Sequence, residues 1–155
     1  PMALIDDEAV LEVLVLMAMA DGSVAAEEET MLDQICIEHF GSTTSAIWTK
    51  ALANTMDLKT SAAAIPEEKR LITVELAYML ISASGEERGF PINSAELYSF
   101  NALVNHLGLT EDQKDEAVSA AKKRLTSKTD GWSILRSRLK SVFGSSSVDA
   151  SGSIR

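Results

Sequence analysis

Cysteine and proline are scarce in this sequence, and each scarcity excludes a class of structure. The chain of 155 residues has one cysteine, Cys36, so an internal disulfide is impossible and a reducing compartment is expected. Its three prolines leave few helix breakers, while alanine, leucine, methionine and glutamate are plentiful. The composition therefore favours an all-α protein.

Long apolar runs and an N-terminal basic segment are also missing. No window reaches the roughly 18 uninterrupted apolar residues that a membrane helix needs. No basic region precedes the first apolar run, so we expect no signal peptide. With 46% hydrophobic and 24% charged residues, the chain is typical of one globular domain with a real core. We expect a cytoplasmic protein without a membrane span.

Positive charge is absent from the first third of the chain. Residues 1–49 contain ten acidic residues and no lysine or arginine, whereas eight basic and two acidic residues follow position 120. The acidic part lacks the positive footprint that nucleic-acid binding needs, so no nucleic acid is expected as a partner. Two interpretations stay open. In the first, both segments are solvated faces of the domain. In the second, the acidic half attracts cations, and the basic end docks on the acidic surface or on a protein partner.

The sequence is organised around an acidic corner at residues 20–29. An apolar stretch ends at Ala20, and Asp21 and Gly22 follow it. Glycine adopts positive φ freely and aspartate bonds nearby backbone, so this pair predicts a tight turn between two helices. Negative charge is favoured at a helix N-terminus. The second helix accordingly opens with three glutamates, Glu27, Glu28 and Glu29.

The same pattern occurs a second time. Residues 77–85 repeat the apolar pattern of residues 14–22 and likewise end on a glycine. After an insertion, Glu96 follows at the position that corresponds to Glu28. These matched roles predict a duplicated helical hairpin, with a second turn at Gly85.

Periodicity and caps predict an all-α domain of about seven helices over residues 1–143, followed by a Ser/Gly-rich tail at 144–155. Asp6 or Asp7 is expected to cap the first helix, which is apolar almost all round and therefore central and buried. Asn93 caps the fifth helix, with Glu96 in capping-box register. The helices are expected at about 6–20, 25–40, 42–57, 66–83, 93–106, 110–125 and 132–143, with a connection at 58–65.

The last helix carries an apolar stripe and a basic face. Three apolar residues, Trp132, Leu135 and Leu139, recur at helical spacing and are expected to pack on the domain. The basic residues between them, Arg136, Arg138 and Lys140, are expected to face solvent.

The acidic corner resembles that of the TerB-like family, the tellurite-resistance helical domain also found at the N-terminus of some DnaJ-like co-chaperones. The resemblance spans roughly residues 9–109. It implies an all-α duplicated hairpin without catalytic activity, a role in chemical-stress response, and acidic residues at the corners as metal ligands. The residues that carry it are Ala20, Asp21, Gly22, Val24, Glu27, Glu28, Leu32 and Ile35.

Carried over to this chain, the implied metal ligands are Asp21 and Glu28, with Glu96 as the counterpart of Glu28. The second copy departs from the family pattern, because Ser84 stands where the aspartate is expected. Judged from the residues alone, carboxylates at Asp21, Glu27, Glu28 and Glu29 suit a hard cation such as Ca²⁺ or Mg²⁺. The alternative is that Asp21 caps the turn, Glu28 bonds backbone N–H groups, and Glu96 completes a capping box.

Other chemistry has little support in the sequence. Cys36 and His39 lie three residues apart on one helix face, but a core cysteine and a helix-end histidine explain them more simply. Nucleophile-elbow, P-loop and dinucleotide-binding motifs are absent. We therefore expect a non-enzymatic stress-response binding module with a cation at its acidic corner. The alternative is a metal-free protein-interaction scaffold or co-chaperone-like domain.

Overall fold

A computed structural model describes residues 2–20, 26–40, 49, 57–88, 94–126 and 131–150, and their side chains within 8–20, 29–34, 37–38, 49, 57–83, 94–126 and 131–142. Every regular element in these ranges is a helix, which confirms the all-α prediction. No helix among them is long and apolar enough to cross a bilayer. Within these ranges the structure defines seven helices, α1 (Met2–Ala18), α2 (Ala26–Phe40), α3 (Leu58–Ala63), α4 (Glu67–Arg88), α5 (Ser94–His106), α6 (Glu111–Leu125) and α7 (Gly131–Ala150).

Helices α1 and α4 form the centre of the core. Helix α1 packs against α2, α3, α4 and α5, and α4 also packs against α5, α6 and α7. From Ala9 to Ala18 apolar residues cover almost every side of α1, with Glu12 as the one interruption, and its predicted central position is confirmed. Its buried residues are Ala9, Val10, Leu11, Val13, Leu14, Val15, Met17 and Ala18.

The stripe of the last helix also lies in the core. Leu135 and Leu139 are fully buried, and Trp132 packs against the core while partly exposed. Each leucine removed from water in this way contributes about 1.5–3 kcal/mol to stability. The predicted packing of α7 on the domain is therefore confirmed.

One helix begins earlier than predicted, and another forms where a connection was predicted. Helix α1 starts at Met2, so the prediction that Asp6 or Asp7 caps it is wrong. The residues before the aspartates are mostly good helix formers, and their propensity extends the helix in the N-terminal direction. The predicted connection at 58–65 is wrong as well, because Leu58–Ala63 forms α3. Its first turn is capped by Asp57, whose Oδ2 accepts a hydrogen bond from the Thr60 N–H at 3.1 Å.

Two helices also end later than predicted. Gly85 lies inside α4, which continues to Arg88, so the predicted second turn at this glycine is wrong. One glycine in a helix costs only about 1 kcal/mol, which the packing of a long helix offsets. Helix α7 runs to Ala150 and includes the first part of the predicted tail, where no proline interrupts it. Apart from Thr49, which is helical, and Asp57, the predicted third helix lies outside the described residues, as do the corner at Asp21–Gly22 and the Asn93 cap.

Helix α6 begins where the sequence predicts the sixth helix, and a capping box at Thr110 fixes its start. The Thr110 hydroxyl accepts a hydrogen bond from the Gln113 N–H at 3.1 Å, and the Gln113 side-chain oxygen accepts one from the Thr110 N–H at 2.9 Å. These two bonds satisfy N–H groups that have no partner within the helix. Acidic residues follow in the first turn and basic ones occupy the last, as the helix dipole favours.

We expect Thr110→Ala to lower the free energy of unfolding by about 1 kcal/mol, because it removes the acceptor for a backbone N–H at the start of α6. Urea denaturation followed by circular dichroism measures the loss. Ser119→Ala, at an exposed position within the same helix, is the control and should change stability much less. Equal effects of the two substitutions would contradict a stabilising role for the cap.

Candidate functional site

Of the predicted metal ligands, Glu96 is the only one whose side chain falls within the described residues. It lies in the first turn of α5, is 1% exposed and makes a polar interaction within the protein. Glu27 and Glu28 belong to the beginning of α2, but their side chains and all of Asp21 lie outside the described residues. Among the described residues, no three His, Cys, Asp or Glu side chains are grouped to hold a metal ion.

The outward face of α2 carries an open groove of about 380 Å³. Two acidic residues, Glu29 and Asp33, lie one helical turn apart along it. Ile37 follows one turn later and is 49% exposed. This face therefore combines negative charge with an apolar contact point. Its described lining residues are Glu29, Thr30, Asp33, Gln34 and Ile37.

The buried carboxylate of Glu75, on α4, joins three helices. The Glu75 side chain is 7% exposed and bonds the Nε of Arg124 from α6. It also accepts two hydrogen bonds from Arg138 of α7, from Nε at 3.2 Å and from Nη2 at 3.3 Å. Removing a carboxylate from water is costly, and two arginines offset that cost here. The three charges form what we call the Glu75 cluster.

The expectation that Arg138 faces solvent is therefore wrong, since its side chain is only 19% exposed. Helical spacing explains the error, because Arg138 lies between Leu135 and Leu139 on the buried side of α7. The sequence of α4 contains a signal for this cluster. Glu75 interrupts a run of apolar residues in α4, and a charge placed in an apolar stripe needs a partner.

A second charge contact joins α7 to α2. Glu38 is 3.7 Å from Nη2 of Arg136 and 3.7 Å from Nζ of Lys140, through its two carboxylate oxygens. All three side chains are about two-fifths to one-half exposed, so each pair is screened by water and contributes little alone. Together with the Glu75 cluster, these contacts show that the basic end docks on acidic residues of its own chain.

Two buried donors on α7, the Nε1 of Trp132 and the Nε of Arg136, have no hydrogen-bond partner within the part of the chain that the structure describes. The residues are four positions apart and so lie on one side of the helix. A buried donor without an acceptor costs about 1–3 kcal/mol relative to its hydrated state. The first part of α7 therefore carries this cost where it packs on the domain.

The remaining candidates are structural or lie outside the described side chains. His106 is exposed in the last turn of α5, as the helix dipole favours. The side chains of Cys36 and His39 are not among those described. Glu12, partly buried in α1, accepts a hydrogen bond from the Ser61 hydroxyl at 3.1 Å, which ties α1 to α3.

Comparison with known proteins produced no relative for this arrangement: no family model matches the chain, and neither the curated proteins nor the solved structures contain a match.

Proposed function

We propose that this chain is a non-enzymatic binding module of the TerB-like kind, active in a chemical-stress response, which binds a divalent cation at its acidic corner. The observation that supports the proposal is the start of α2 at Ala26, within the acidic corner. Glu27 and Glu28 are therefore in the first turn of a helix whose predecessor, α1, is fixed in the core. A short acidic connection between two helices is a suitable frame for oxygen ligands.

The chemistry of the corner favours Ca²⁺ or Mg²⁺ as the ligand. Both are hard cations that bind carboxylate and carbonyl oxygens. The positive end of the α2 dipole opposes a cation, so a single carboxylate is not sufficient. Asp21 and Glu28 together, with Glu27 beside them, supply enough negative charge to offset the dipole. Binding would then fix the corner and change the surface that the hairpin presents to a partner.

Calorimetric titration with Ca²⁺, Mg²⁺ and Mn²⁺ tests the proposal. We expect saturable binding of at least one ion, and a gain of about 2.7 kcal/mol in unfolding free energy at a hundred times the dissociation constant. Asp21→Asn should abolish the gain, because it removes a charged ligand. Asp112→Asn, which neutralises an exposed acid in the first turn of α6, is the matched control and should keep it.

Flat titrations with all three ions at millimolar concentration would remove the cation from the proposal. An equal loss of binding in Asp112→Asn would indicate diffuse attraction to an acidic protein instead of a site. In either case Asp21→Asn should cost little stability, because asparagine keeps most of the hydrogen bonds of a turn cap.

The second candidate function is a metal-free protein-interaction scaffold or co-chaperone-like domain. The groove on α2 favours it, because the half-exposed Ile37 continues a line of acidic side chains, Glu29 and Asp33, along one face of the helix. Protein interfaces combine apolar contacts with a polar rim. Under this function the protein partner recognises a preformed helix face, and the stability of the domain does not depend on divalent ions.

A further inference from the structure

Helix α7 is attached to the domain through helices that are distant in the sequence. It packs mainly against α4 and α2 and has few contacts with α6, the helix that precedes it. Only residues 126–130 separate the two helices. We call the surface of α2 and α4 that α7 covers the α7 seat; its acidic residues are Glu38 and Glu75. The geometry is that of an amphipathic helix lying in a groove.

The Glu75 cluster reduces the cost of removing α7 from its seat. Two arginines bind Glu75, and only Arg138 belongs to α7. When α7 leaves, Arg124 of α6 stays beside the carboxylate, so no unpaired charge remains buried. Leaving a buried ion without any partner is the step that destabilises most strongly, and the second arginine avoids it.

The polar contacts of α7 with its seat also favour exchange. The pairs that Glu38 makes with Arg136 and Lys140 are half-exposed, so water replaces them at little cost. The Trp132 indole N–H and the Arg136 Nε–H have no acceptor among the described residues and regain water when the helix undocks. The main barrier to undocking is thus the burial of the apolar side of α7, above all of Leu135 and Leu139.

We propose that the α7 seat accepts α7 from a second copy of the chain, so that two chains exchange their last helices. The occupant follows from complementarity, because the seat already fits this sequence in its apolar and charged contacts. Exchange re-forms the same contacts between two chains, so its free energy depends mainly on the 126–130 connection and on association entropy. The inference goes beyond the binding module proposed above and does not depend on a cation.

Complementary charge reversal tests the exchange. Glu38→Lys places a positive charge against Arg136 and Lys140, and the double variant Arg136→Glu/Lys140→Glu places negative charges against Glu38. Each variant has repulsive contacts both as a monomer and as an exchanged homodimer. A mixture of the two relieves every repulsion only in an exchanged heterodimer, where each α7 docks on the seat of opposite charge.

We expect the mixture to form a species of twice the 16.7 kDa chain mass. It should associate at least about tenfold more tightly than either variant alone, since several exposed pairs of about 0.2–1 kcal/mol change sign. Light scattering coupled to size-exclusion chromatography measures it. The control mixture is Glu116→Lys with Lys122→Glu/Lys123→Glu, which alters the same charges at exposed positions of α6. A mixture that stays monomeric, or a control mixture that dimerises equally, would overturn the proposal.

A second measurement covers the case in which a charge-reversed chain fails to fold. A fluorescent peptide of residues 131–150 is titrated with the unaltered full-length chain, and its anisotropy is recorded. We expect saturable binding in competition with the resident α7. A peptide carrying Arg136→Glu/Lys140→Glu should bind at least about tenfold more weakly. Absence of binding at millimolar chain concentration, or equal binding of both peptides, would refute exchange at this seat.

Discussion

Truncation of the chain before Gly131 is expected to lower the free energy of unfolding by about 3–6 kcal/mol. Leu135 and Leu139 are both fully buried, and burial of each contributes about 1.5–3 kcal/mol. Domains of this size have a total stability of only about 5–15 kcal/mol, so the truncated chain should be near the limit of folding. Urea denaturation followed by circular dichroism gives the difference directly.

Two single substitutions in α7 separate core packing from a general effect of shortening. Leu135→Ala should cost about 2–5 kcal/mol, because it leaves a cavity in the core. Ser137→Ala alters an exposed position in the same helix and should be nearly neutral. A truncated chain with the melting temperature of the complete one would show that α7 does not belong to the core.

Loss of both arginines from the Glu75 cluster is expected to cost more than the sum of the two single losses. With Arg124→Ala or Arg138→Ala alone, the remaining guanidinium still compensates the Glu75 carboxylate, and we expect a cost of about 1–2 kcal/mol. Arg124→Ala/Arg138→Ala leaves a carboxylate that is 7% exposed without its two cationic partners. Its cost should reach about 3–5 kcal/mol beyond the effects of lost packing.

The double-mutant cycle measures this coupling by chemical denaturation of the four proteins. Lys122→Ala/Lys123→Ala removes two bases from exposed positions of α6 and controls for the change in net charge. Simple additivity of the two arginine substitutions would mean that Glu75 does not depend on them jointly. It would also mean that Arg124 is not what compensates the Glu75 carboxylate when α7 undocks.

The sequence by itself determined the features that depend on local signals. The burial of α1 followed from apolar residues on almost all its sides, and the sixth helix was predicted to start at residue 110, next to the observed start of α6 at Glu111. The packing of Leu135 and Leu139 followed from their spacing. At the acidic corner, the sequence predicted the start of α2 to within one residue, at Ala26, and hence the helical position of Glu27 and Glu28.

Only the tertiary structure decided which charges are buried and where several helices end. Arg138 bonds a carboxylate 63 residues away in the chain, and no local pattern specifies that meeting. Gly85 stays helical because packing along α4 outweighs the modest preference of glycine for a turn. Propensity acts over a few residues with tenths of a kcal/mol, whereas burial of side chains and charges acts across the fold with several. Where the two conflict, the larger and non-local free energy determines the structure.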